Sequence, residues 1–123
     1  MTGKKTAEMD RWLEEKIRRC GRRSQTLRAD DRADEAAFEK IRANVYDIFR
    51  TVLSVAEKTC GDEEDTVRDF FARRAQTIPA GWAAAYEKAK EHHDPVRLQI
   101  EKLKLDTVGE VRTQFKKIWE GAE

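Results

Sequence analysis

The sequence predicts an all-α fold, an antiparallel up-down four-helix bundle, and three observations carry that expectation. The chain has only 2 prolines and 6 glycines, too few for the turns an all-β fold requires. Apolar residues make up 39% of it and charged residues 40%, much of that as the strong helix formers Ala, Leu, Glu, Lys and Arg. Four stretches then repeat apolar residues at helical spacing, with short connections between them. At 123 residues the chain falls at the usual size of one domain, large enough to bury a core without disulfides or metal. The expected organisation is a disordered stretch over residues 1–5 followed by one helical-bundle domain over 6–120.

The first helix is expected from about Thr6 to Arg28. Met9, Leu13, Ile17, Cys20, Ser24 and Leu27 fall within an arc of roughly 80° on the helical wheel. The stripe runs through Gly21 without a phase change, which favours one helix over an early stop there. Asp30 and Asp31 then offer N-cap chemistry to the second helix. That helix, about Asp34 to Thr59, has the broadest apolar arc: Phe38, Ile41, Val45, Ile48, Phe49, Val52, Leu53, Val55 and Ala56. An arc so wide predicts packing against two neighbours. Gly61 is placed to end it, and the acidic run from Asp62 to Asp65 suits the positive end of a following helix.

The third helix shows Val67, Phe70, Phe71, Ala75 and Ile78, then meets Pro79, and resumes with Trp82, Ala85, Tyr86 and Ala89. Proline removes a backbone donor, so the helix is expected to be kinked or broken at Pro79, or to start anew there. Asp94-Pro95 reads as an N-cap followed by proline at the first helical position, opening a fourth helix to about Glu120. In this topology Cys20 and Cys60 lie some 25 Å apart along the bundle axis. A disulfide needs Cα atoms within about 7 Å, so both thiols are expected to be free.

Several function classes find no support in these residues. The Glu-x-x-His pairs of a di-iron bundle are missing, because Ala89 and Lys90 precede His92 and His93 by three. Neither a Cys-x-x-Cys nor a His-x-x-x-His pair is present for zinc, and there is no glycine-rich phosphate loop or Gly-x-Ser-x-Gly elbow. The cluster Glu91-His92-His93-Asp94 reads as a helix end followed by an N-cap. Cys20 has arginines nearby but lies on the apolar stripe, as a buried and unreactive thiol would. No cofactor, no metal and no catalytic residue is expected. The N-terminal residues lack the apolar core of a signal peptide and no stretch is apolar enough to span a membrane, so a cytoplasmic location is expected.

Two surfaces are candidates for function. Lys16, Arg18, Arg19, Arg22 and Arg23 oppose the apolar stripe of the first helix and form a candidate phosphate-binding face, by which the chain could associate with nucleic acid. Against that reading, net charge is only +1 and no aromatic residue is interleaved to stack on bases. The second surface is apolar. On the last helix Val96, Ile100, Leu103, Val111 and Ile118 form one stripe; Leu98, Leu105, Val108 and Trp119 form another more than about 100° away. Leu98, Leu105 and Trp119, with Trp12 at the same end as Trp119, are therefore candidate interface anchors left outside the core. The leading expectation is a small helical protein-interaction module, a homodimer or a binder of another protein. Phosphate binding through the basic face is the alternative.

Overall fold

The computed structural model describes residues 3–61 and 63–121, and four helices account for nearly all of them: α1 (Lys4–Ala29), α2 (Ala33–Cys60), α3 (Glu64–Glu91) and α4 (Pro95–Glu120). Each connection between helices is three residues long, which forces each helix antiparallel to the next and yields the up-down four-helix bundle. Met1, Thr2 and Asp62 lie outside the described residues. Lys4 and Lys5, expected to precede the fold, form the first turn of α1.

Helix ends follow local chemistry in part. The Asp94 side chain accepts from the backbone N–H of Arg97 at 3.1 Å, with Pro95 opening α4, as the sequence predicts. Gly61 ends α2 at φ 67°, a conformation a Cβ would disfavour. The turn between α1 and α2 differs from expectation. Arg32, not an aspartate, is the N-cap and makes no side-chain cap bond, while Asp31 takes the left-handed conformation at φ 61°. Asp tolerates that region because its short polar side chain bonds locally. Pro79 lies inside an unbroken α3 and is buried. The start of a new helix at Pro79 is therefore excluded; tertiary packing over-rides the missing donor, whose bond to the Ala75 carbonyl is the one lost.

The helices associate as two hairpins, α1 with α2 and α3 with α4, joined mainly through contacts of α2 with α3 and α4. The core concentrates at the end where α1 begins. There Met9, Leu13, Phe49, Leu53, Val67, Phe71, Val111 and Phe115 are buried together. Aromatic rings link three helices: Phe49 to Phe71 at 5.9 Å between centroids, Phe71 stacked on Phe115 at 4.6 Å, and Phe115 tilted against Trp119 at 4.7 Å. Toward the opposite end, apolar residues of α3 and α4 such as Trp82, Tyr86, Leu98, Ile100 and Leu103 are only half-buried. Among the described residues no helix is long and apolar enough to cross a membrane, and both cysteines are free.

Candidate functional surfaces

The basic residues of α1 divide into two groups. Arg18 pairs with Glu14 at 2.9 Å and Arg22 with Glu15 at 3.3 Å; both arginines and Glu15 are exposed, while the half-buried Glu14 also accepts from Arg50 of α2 at 3.0 Å. Lys16, Arg19 and Arg23 instead border a groove of about 200 Å³ between α1 and α2, with Cys20, Glu39, Arg42 and Tyr46 completing its lining. Helical spacing explains the split. Positions 16, 19 and 23 lie one turn apart beside Glu39, Arg42 and Tyr46 of α2, whereas 18 and 22 lie on another flank of α1, with Glu14 and Glu15. The structure therefore separates residues that the sequence presents as one face.

Within the groove, the Arg42 Nη2 group donates to Glu110 Oε2 of α4 at 3.1 Å and approaches the Tyr46 hydroxyl at 3.4 Å. Tyr46 in turn donates to Glu110 Oε1 at 3.2 Å. Burial pushes the Tyr46 phenol above its ordinary range, so it stays a donor. Burial first, and the Glu39 carboxylate second, push the Cys20 thiol up from 9.0 to about 11. A thiol so far from ionising is a poor nucleophile.

The candidate interface residues meet different fates. Trp119 is 7% exposed; its ring packs tilted against Phe115 and its Nε1 donates to the Glu64 carbonyl at 2.9 Å. It is a core residue, and its place on a second stripe reflects the wrapping of the end of α4 by α1 and α3. Trp12 meets Tyr46 edge-to-face at 5.8 Å and carries the Lys16 ammonium over its ring at 5.3 Å. It too is engaged within the chain and is not a free anchor. Leu98 and Leu105 are half-buried, Leu98 beside Ala89, His93 and Pro95 at the α3–α4 turn.

The exposed apolar surface lies mostly elsewhere. Ile48 is 38% exposed and Val55 44%, both on α2, while Val96 at the start of α4 is 66% exposed. Ile41 and Val52 are half-buried on the same flank of α2. From Ala37 to Thr59 an arc of about 100° holds Ala37, Ile41, Asn44, Ile48, Thr51, Val52, Val55 and Thr59, with no charge among them. The sequence carried this signal in the excessive width of the second helix's arc; the neighbours expected to fill that arc leave its outer edge uncovered.

Glu101 is a further feature that sequence reasoning missed. It is 2% exposed, and its Oε2 lies 3.8 Å from Arg97 Nη1 and 3.5 Å from Lys104 Nζ, too far for strong bonds. Its Oε1 is buried with no hydrogen-bond partner. Among the described residues no three His, Cys, Asp or Glu side chains cluster to hold a metal ion, and His92 and His93 are exposed at the α3–α4 turn. In comparisons with known proteins, no family model, curated protein or solved structure matches the chain.

Proposed function

We propose that the protein is a helical interaction module that forms a homodimer through the uncharged outer flank of α2. The observation that carries this reading is the exposure of Ile48 and Val55, 38% and 44%, within a charge-free strip of a chain that is 40% charged. Isolated exposed apolar residues are ordinary, but a contiguous strip that excludes charge marks an association site. Ile41, Ile48 and Val55 recur every seven residues, the spacing of a helix-pairing seam. They are also symmetric about Ile48. A two-fold axis beside it sets Ile48 against its own copy and Ile41 against Val55 of the other chain, the self-complementary contact of an isologous dimer. Two free thiols suit a reducing compartment, in keeping with a cytoplasmic location.

Light scattering of the eluting protein tests the proposal. Wild type is expected at twice the 14.3 kDa chain mass, and the double variant Ile48→Lys, Val55→Lys as a folded monomer. Leu98→Lys with Leu105→Lys serves as the control that leaves the dimer intact. A monomeric wild type, or a dimer that ignores the α2 substitutions, counts against it. Nucleic-acid binding by α1 has less support, because Glu14 and Glu15 already neutralise Arg18 and Arg22.

A further inference from the structure

We infer that the groove between α1 and α2 binds the phosphate group of a small phosphorylated molecule. Four cationic side chains line it, Lys16, Arg19, Arg23 and Arg42, against the single carboxylate of Glu39. That carboxylate does not satisfy them. Glu39 Oε2 stands 3.5 Å from Arg23 Nε and 4.0 Å from Arg42 Nη1, beyond good hydrogen-bond length. No carboxylate of the described residues lies within 4.0 Å of Arg19. Arg42 is half-buried and anchored at its far end by Tyr46 and Glu110. Its Nε is buried with no hydrogen-bond acceptor among the described residues.

These features are complementary to one kind of ligand. Guanidinium groups fork onto phosphate oxygens with charge-assisted bonds, and Arg19, which no carboxylate engages, is free to do so beside Lys16 and Arg23, while Arg42 is held at Nη2 by Glu110 and Tyr46. The volume of about 200 Å³ leaves room for a phosphate and a few attached heavy atoms. The setting disfavours an extended polyanion. The chain's net charge is only +1 and the Glu110 carboxylate stands against Arg42, so the neighbouring phosphates of a nucleic acid or the surface of an anionic membrane would meet no wider positive field.

Calorimetric titration at low salt tests this with inorganic phosphate, glycerol phosphate, vesicles of phosphatidylcholine with phosphatidic acid, and a short DNA duplex. Saturable binding of phosphate and glycerol phosphate is expected. Arg19→Gln, an exposed substitution that leaves the fold intact, is expected to weaken it about tenfold, as loss of a charged hydrogen bond does. Arg42→Gln is expected to do the same, with circular dichroism checking that the helices persist. Arg18→Gln, on the outer face, is expected to bind like wild type. No saturable binding of the two small ligands overturns the inference. So do equal losses in Arg18→Gln and Arg19→Gln, or tighter binding of vesicles or duplex than of glycerol phosphate.

Discussion

The indole Nε1 of Trp119 donates a 2.9 Å hydrogen bond to the backbone carbonyl of Glu64, tying the last turn of α4 to the first turn of α3. The Glu64 carboxylate extends the tie to α1, accepting from the backbone N–H of Lys5 at 3.0 Å. Lys5 closes the figure by donating its ammonium to the Trp119 carbonyl at 3.1 Å. A donor left free by the start of one helix and a carbonyl left free by the end of another are thus satisfied by side chains from elsewhere in the chain.

Trp119→Phe keeps a ring against Phe115 and loses only the bond to Glu64. It is expected to lower stability by about 1 kcal/mol in urea unfolding, whereas Trp119→Ala, which leaves a cavity beside the aromatic rings, is expected to cost about 3–5 kcal/mol. Equal losses in the two variants would assign the whole effect to the hydrogen bond.

Glu64 acts as an N-cap supplied from another helix, so Glu64→Ala is expected to cost about 1 kcal/mol, the usual worth of a cap. Gly3 is part of the same contact: a Cβ there would come within 2.7 Å of the Glu64 Cγ. Gly3→Ala is expected to destabilise wild type but to add little in the Glu64→Ala background. Additive losses in the double variant, measured by the same unfolding curves, would rule out this coupling.

Replacing the buried Glu101 is expected to stabilise the fold. Its carboxylate has lost water without gaining a short bond; of its cationic neighbours, Arg97 is exposed and Lys104 lies over the Trp82 ring at 5.9 Å, so neither is left buried without a partner if it is removed. Glu101→Met is expected to raise stability by about 1–3 kcal/mol, the cost of keeping a buried polar group without a hydrogen-bond partner. A loss of stability on thermal or urea unfolding would show that the long contacts outweigh the desolvation.

Cys20 predicts the alkaline limit. Its thiol is raised from 9.0 to about 11 in the folded chain. The unfolded chain therefore releases this proton first as pH rises. The contribution is fully present below pH 9 and is lost as pH climbs towards 11. Cys20→Ala is expected to show a shallower fall in stability across that window than wild type. Alkylation at pH 8 is expected to modify the half-buried Cys60 well before Cys20; the reverse order by mass spectrometry would contradict the buried setting.

The bundle was legible in the sequence because its helices obey local rules. The stripe of α1, the Asp94-Pro95 start of α4 and Gly61 after α2 each act within a few residues. Pro79 was ambiguous because a local rule opposes helix there, and burial against the bundle prevails. Trp119, read as an anchor outside the core, is buried for a similar reason. Trp119 lies off the main stripe of α4, but a wheel of one helix does not show that Glu64 and Lys5, distant in sequence, close over it. Splitting the arginines of α1 into outer and groove-facing sets required the positions of Glu14, Glu15 and Arg42 in space.

The tie between Lys5 and Trp119 has a topological consequence. It brings the first turn of α1 and the last turn of α4 within one hydrogen bond, 3.1 Å, at the end opposite the α1–α2 and α3–α4 turns. A short linker between them would make the backbone a closed ring. That ring can be reopened at the exposed residues around Asp31 or His93, giving circular permutants with the helix order α2-α3-α4-α1 or α4-α1-α2-α3 and the same core.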